Sequence, residues 1–294
     1  MLSILIPTYH YNAFPLAQEL ERQALDAGVV FELICVDDGS FSDANIENQK
    51  INSLTNCKFI EAKKNVGRTA SRLFLAEQAQ YQWLLFIDAD VLPKNQDFLV
   101  KYLNEMTKNH EAVFGGFAYK DTSYSKNKSL RYTFGKKREE VDASKRNKTP
   151  YKVIISANFL MKKTVYLELI KNNTDNSYGM DYLIGSLLKT NQSNVWHINN
   201  EVYHFGLDDN TTFLKKTEHA MQTLYHLYAS NKVNKNNISL LKAYGFLKFF
   251  YLHRLFGTCL SFFDSKIKLN LTQENPNMFL FDLYRLGYFC RLHH

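Results

Sequence analysis

Two carboxylates one residue apart, Asp88 and Asp90, follow directly on the apolar run Trp83-Leu84-Leu85-Phe86-Ile87. Five successive apolar residues leave a strand no polar face, so this run is expected to be buried on both sides. The two acids then fall where the strand leaves the sheet. Ligands of open α/β sheets bind at the carboxyl ends of the strands, and carboxylates at i and i+2 in a non-helical turn can face one cation. Hard divalent ions such as Mg2+ and Mn2+ take carboxylate oxygens and also hold substrate phosphates. A polar turn after a strand is the plain alternative. Two more acids stand in Val36-Asp37-Asp38-Gly39-Ser40; Asp181 precedes a helical stretch, and His204 follows a strand.

The elements that would position these groups alternate. Leu2 to Ile6 reads as a strand ended by Pro7. Phe14 to Ala27 is helical by the spacing of Phe14, Ala17, Leu20, Ala24 and Leu25, and Gly28 stops it. Phe31 to Val36 is a second strand, a helix follows from a Ser42 or Asp43 cap to about Leu54, and Lys58 to Ile60 is a short third strand. After the turn Asn65-Val66-Gly67-Arg68, Thr69 to Gln80 is helical, and then comes the Trp83 strand. Four such alternations predict a parallel sheet with helices on both faces. Right-handed crossovers would bring Pro7-Thr8-Tyr9, Asp37-Asp38-Gly39-Ser40 and Asp88-Ala89-Asp90 to one edge, with four carboxylates converging on a crevice. No GxGxxG follows the first strand and no GxxxxGK[ST] occurs, so a bound nucleotide would need another way to neutralise its phosphates, such as a metal ion.

Farther on, Ala112 to Phe114 is a strand, Tyr151 to Leu160 another, Lys162 to Lys171 and Tyr182 to Leu188 short helices, and Val195 to Val202 a last strand. Residues 120–149 are polar and basic and include Arg131, Arg138 and Arg146. They read either as a surface segment or as a lid over anionic phosphates or an acceptor platform. From about Phe213 the chain is helical, basic and aromatic: residues 215–294 hold 11 Lys and Arg against 4 Asp and Glu, which accounts for the whole net charge of +7. Leu240, Tyr244, Leu247 and Tyr251 recur at helical spacing, with Phe246 and Phe250 beside them and Lys242 and Lys248 between. That pattern suits an interfacial helix at an anionic membrane surface, or a helical extension packed on the domain. The basic residues are scattered among aromatics with no recognised module, so nucleic acid is not an expected partner. The four cysteines form no CxxC pair, the first residues lack a basic leader, and no run of 18 apolar residues occurs. A reduced, cytoplasmic protein is expected, at most peripheral at the inner face of the membrane.

In order, Ile6-Pro7-Thr8-Tyr9, Val36-Asp37-Asp38-Gly39-Ser40, Asn65-Val66-Gly67-Arg68 with Ser71-Arg72, Asp88-Ala89-Asp90, Asn158-Phe159-Leu160 and Tyr178-Gly179-Met180-Asp181 resemble the family 2 glycosyltransferases of the GT-A fold, bacterial type, over about residues 1–206. The resemblance implies an α/β, Rossmann-like fold with a mostly parallel central sheet flanked by helices. Its donor half would span about 1–117 and its acceptor half about 118–212, with 213–294 as a C-terminal helical extension. It implies that Pro7, Thr8 and Tyr9 line the nucleoside pocket and that Asp38, with Asp37 as the second choice, accepts from the N3–H of the base. Arg68 and Arg72 would flank base and phosphate, and Asp88, with Ala89 beside it, would meet the ribose or sugar. Asp90 would ligate Mn2+ or Mg2+, and His204 matches a metal- or diphosphate-binding histidine of some relatives. Asp181 would be the catalytic base, and Arg131 and Arg138 would belong to an acceptor or phosphate lid. The chain has Met180-Asp181 where the family often has Glu-Asp, and His10 where Asn is common. The function implied is inverting transfer of a sugar from a nucleoside diphosphate, UDP first, to a hydroxyl of a glycan or lipid-linked acceptor in cell-surface polysaccharide synthesis. The alternatives are a non-catalytic sugar-nucleotide-binding partner and a nucleotidyltransferase. The latter would want a Gly-rich basic turn where Pro7-Thr8-Tyr9 stands.

Overall fold

Strands β1 (Leu2–Thr8), β2 (Phe31–Asp37), β3 (Cys57–Glu61) and β4 (Trp83–Ile87) pair in parallel in the order β3-β2-β1-β4. This is a computed structural model; it describes residues 1–121, 124–171, 178–234 and 238–292, so 122–123, 172–177, 235–237 and 293–294, including parts of the expected 120–149 segment and the 213–294 extension, lie outside the described residues. The period-2 alternation of strands sorts side chains to two faces. Leu2, Ile4, Ile6, Trp83, Leu85 and Ile87 pack on one side with Leu16 and Leu20 of helix α1 (Phe14–Asp26). Leu5, Leu84 and Phe86 pack on the other side with Leu75 and Ala76, which lie beyond the short helix α2 (Ala44–Asn48) on α3 (Arg68–Gln78). Each such side chain gains about 1.5–3 kcal/mol on burial, which is why an all-apolar strand takes the centre of the sheet.

Pro7 lies inside β1 rather than ending it. Pairing with β4 covers only Ser3 to Leu5, so Pro7 stands where β1 keeps β2 alone as neighbour.

The chain continues through β5 (Val91–Pro93), α4 (Phe98–Met106), β6 (Ala112–Phe114), β7 (Phe117–Ala118), α5 (Ser129–Phe134) with a π-helical turn at Gly135–Glu139, and α6 (Ala143–Asn147). Then come β8 (Asn158–Lys162), α7 (Lys163–Ile170), α8 (Asp181–Thr190), β9 (Val195–His197) and β10 (Val202–His204). The central sheet has the order β3-β2-β1-β4-β8-β6-β9, in which β8 alone runs antiparallel. The mixed α/β layout with a mostly parallel sheet is as expected from the sequence. A second sheet, β5-β10-β7, was not foreseen.

Two expected strands are shorter than their apolar runs. Of Tyr151 to Leu160 only the part from Asn158 is strand. The stretch Val195 to Val202 divides into β9 and β10, because side chains take the carbonyls in between: Arg146 donates to the Ile198 oxygen (2.8 Å) and Asn158 to the Asn200 oxygen (2.9 Å). Arg146 is buried and also donates to the oxygens of Val141, Phe114 and Gly115, so α6 is riveted to the central sheet and to the links that leave β6 and β9 for the second sheet. Residues 120–149, read either as surface or as a lid or acceptor platform, thus contain packed helices around buried Arg131 and Arg146.

The extension is helical: α9 (Asn210–Ala229), α10 (Ser239–Phe249), α11 (His253–Ser261), α12 (Asp264–Leu271) and α13 (Met278–Arg291). Asp209 caps α9 and Asn277 caps α13, each accepting from two backbone N–H groups. Its core is shared with the preceding part. Leu183 of α8 packs with Met221, Leu224, Tyr244 and Phe289, and Leu130 of α5 packs with Phe213, Leu271, Phe281 and Tyr284. Of the expected stripe, Leu240, Tyr244 and Leu247 therefore face inward, whereas Tyr251 is exposed. Among the described residues no helix is long and apolar enough to cross a membrane.

Candidate active site

β1 leads through α1 to β2 on one side, while β4 lies on its other side, so the direction of the crossovers reverses between β1 and β4. In open α/β sheets ligands sit outside the carboxyl ends of the strands at such a switch point. Here Thr8 ends β1 and Asp88 follows β4. The buried Thr8 hydroxyl donates to the Tyr11 carbonyl (3.0 Å), closing a turn that leaves Tyr9 and Tyr11 partly exposed. Pro7 is half-buried beside them, and Ala89 is buried between the two acids.

The Asp37-Asp38 pair is divided in role. Asp37 accepts from the Ser40 N–H (2.8 Å), and its other oxygen is buried without a partner. Asp38, expected to meet a base, accepts from the N–H groups of Val66 (2.9 Å) and Gly67 (2.8 Å), one on each oxygen. It anchors the loop before α3, and each oxygen keeps a second lone pair. Gly39 has φ +65°, and a β-carbon there would lie 2.4 Å from the Lys64 carbonyl carbon, so only glycine lets the two loops touch.

Asp88 is clamped by α3. Arg68 reaches one oxygen (2.5 Å) and Arg72 the other. Arg72 is buried and also donates to the Ser156 carbonyl (2.7 Å). Burial and the adjacent Arg68 pull its pKa down despite Asp88. Arg68 is half-exposed. Burial opposes its charge, yet Asp88, Asp181 and Asp90 together hold its pKa above the ordinary value. The structure thus brings Asp88, Asp90 and Asp181 within electrostatic reach of one guanidinium. Asp181 is the exposed first residue of α8, directly after the turn Tyr178-Gly179-Met180.

Asp90 belongs to a second chain of contacts. His204 at the end of β10 places Nε2 3.3 Å from Oδ2 of Asp90 and Nδ1 3.4 Å from Arg131 Nη2, while Arg131 pairs with Glu139 at 2.9 Å. A guanidinium only donates, so Nδ1 is the acceptor and Nε2 carries the proton toward Asp90. Burial works against the charge of Asp90, but His204 and Arg68 outweigh it and hold the pKa below the usual carboxylate value. The Phe205 N–H donates to the Asp90 carbonyl (2.9 Å), and a β-carbon on Gly206 would lie 1.8 Å from Asp90 Oδ2.

Asp90 suits a divalent ion: its side chain is about a third exposed and its charge is kept. Among the described residues no group of three or more His, Cys, Asp or Glu forms a ligand cage. An ion here would fill its remaining positions with diphosphate oxygens and water, as Mg2+ and Mn2+ do at phosphates. His204, expected as a further ligand, lies beside the same carboxylate, with Nε2 3.3 Å from Asp90 Oδ2.

Arg131 and Arg138 were read as a lid. Arg131 is buried against Tyr119, Phe134 and Phe213, where it positions His204. Arg138 is half-exposed and pairs with Asp282 of α13 (2.5 Å). Arg285 of α13 donates to the Tyr182 hydroxyl (2.8 Å), next to Asp181. Tyr11, Glu139 and Gly206 were given no role by the sequence reading. Only Gly206, as a glycine two residues after a strand-end histidine, carried a local signal.

The sequence model of the family described as Glycosyl transferase family 2 matches residues 3–170. Among solved structures, the mannosyltransferase PcManGT from Pyrobaculum calidifontis, in complex with GDP-Man and Mn2+, is similar at a TM-score of 0.50 and 13% identity, covering 79% of this chain and 64% of that one. S. aureus TarS 1-349 gives 0.48 and 16% identity over 78% of this chain and 72% of that one. The same TarS fragment in complex with UDP-GlcNAc gives 0.49 and 17% over 75% and 65%. No curated protein matches the chain.

Proposed function

This chain belongs to glycosyl transferase family 2, and from that membership we propose an inverting, metal-assisted transfer of a sugar from a nucleoside diphosphate, UDP first, to a hydroxyl of a glycan or lipid-linked acceptor of the cell surface. The fold is of the GT-A type, and the family makes the protein a nucleotide-sugar glycosyltransferase. The observation that carries the finer reading is the crevice where Arg68 and Arg72 grip Asp88 and where Asp90 and Asp181 lie within reach of Arg68.

In this reading residues 1–117 hold the donor, 118–212 the acceptor, and 213–294 brace the acceptor half. The base lies toward Pro7, Thr8, Tyr9 and Asp38, and the sugar near Asp88 and Ala89. Two guanidinium groups against the single carboxylate of Asp88 leave positive charge for the departing diphosphate. Asp181 takes the proton of the acceptor hydroxyl. The acceptor oxygen bonds to the anomeric carbon from the face opposite the diphosphate. The carbon–oxygen bond to the β-phosphate breaks, its electron pair leaves with the nucleoside diphosphate, and the configuration inverts. When bound at Asp90, Mn2+ or Mg2+ supplies neutralisation of the diphosphate charge. His204, fixed by Arg131, holds the Asp90 carboxylate in one orientation.

A thermal-shift panel of UDP-, GDP- and dTDP-sugars with Mn2+, followed by assays of nucleoside diphosphate release, tests the reading. Asp181→Asn is expected to keep the donor-induced shift and lose turnover by about 100-fold or more; normal turnover would remove Asp181 from the mechanism. Full activity in excess EDTA would remove the metal.

A further inference from the structure

The outer face of α10 and α11 is apolar and, among the described residues, is left exposed by the rest of the fold. Phe246, Phe249 and Phe250 stand in edge-to-face contact on α10 and its end, with Phe249 77% exposed. Leu255 and Phe262 continue the face along α11, with Phe262 80% exposed. Both helices pack on α13: a β-carbon on Gly257 would touch Cys290, and one on Gly287 would meet Leu260. Their outer sides therefore turn away from the core. Contiguous exposed apolar surface of this kind marks an interaction site.

The charge pattern names the occupant. Residues 219–263 contain no Asp or Glu, yet carry Lys242, Lys248 and Arg254, all exposed. The next acid, Asp264, is paired with Arg291 (2.9 Å). Aromatic side chains with long basic side chains beside them suit the boundary between acyl chains and anionic headgroups, where the rings bury and the charges snorkel to phosphate. A second copy fits worse, because a two-fold interface would set this basic face against itself. We propose that the outer face of α10 and α11 docks the protein on an anionic lipid bilayer. Of the residues whose pattern suggested a membrane from sequence, Leu240, Tyr244 and Leu247 face the core, while Phe246, Phe250 and Tyr251 lie on the exposed side with Lys242 and Lys248.

Co-sedimentation of the full chain with vesicles tests this whether or not the chain transfers sugar. Binding is expected to phosphatidylglycerol–phosphatidylcholine vesicles, weakened by salt, and not to pure phosphatidylcholine. F249S with F262S is expected to weaken binding about tenfold or more, and K248E with R254E to do the same on the anionic vesicles, with circular dichroism and donor-induced thermal shift unchanged. Failure to sediment with anionic vesicles at low salt overturns the proposal. So does a concentration-dependent dimer that the F249S and F262S changes dissociate.

Discussion

A methyl group on Gly206 would sit 1.8 Å from Oδ2 of Asp90. The carboxylate is the freer partner, so Gly206→Ala should move Asp90 rather than unfold the chain. A misplacement of about 1 Å at a reacting centre costs about 100-fold. Donor turnover should fall by that order while the thermal midpoint stays within a few degrees. His197 shows a second consequence at this scale. It is buried between Arg146, which donates to Nδ1 (2.9 Å), and the Pro150 carbonyl, which accepts from Nε2 (2.8 Å). Burial, with Arg146 adding to it, pushes its pKa from 6.5 down to about 4. Above pH 6.5 neither folded nor unfolded chain protonates this ring. As pH falls toward 4 the unfolded chain takes up a proton that the folded one refuses, so stability is full above 6.5 and drops by roughly 3 kcal/mol on the way down. Denaturant titrations at pH 7.5 and 4.5, with the His197 ring followed by NMR, would check both the sign and the group. Asp88 and Asp90 were legible as residues because they follow an apolar run; the histidine tautomer was not, since it depends on Arg131, 73 positions before His204.

At the scale of elements, Arg146 holds the edge of the central sheet where the chain leaves β6 and β9 for the second sheet. It donates to four backbone oxygens and one ring nitrogen, among residues as distant as Phe114 and Ile198. Arg146→Met would leave these acceptors buried and unpaired, at a cost of about 3 kcal/mol or more by chemical denaturation. The strands β1 to β4 were readable because long alternating or all-apolar runs determine them. The second sheet was not, because strands of two or three residues carry no periodicity. The face of α10 was legible only in part, for another reason. Leu240, Tyr244 and Leu247 form one apolar stripe and Phe246 with Phe249 and Phe250 another, and spacing within a helix does not say which of two apolar stripes a neighbour covers.

At the scale of the whole molecule, the expected extension shares its cores with the part that holds the crevice. Leu130 and Leu183 are covered by residues of α9, α10, α12 and α13. A chain cut at residue 209 would expose both clusters, so it is expected to aggregate on expression instead of yielding a soluble transferase; a soluble, donor-binding 1–209 fragment would show that the clusters are dispensable. The braces from α13, Asp282 to Arg138 and Arg285 to the Tyr182 hydroxyl, also set an order in time. On the ribosome every carboxylate of the crevice emerges before Met278. A nascent chain therefore carries all these carboxylates while the two ties to Arg138 and Tyr182 are still unmade. Synthesis of α13 is the event that fastens them, and the same helix closes the clusters around Leu130 and Leu183, so the crevice is steadied and the helical core completed in one step.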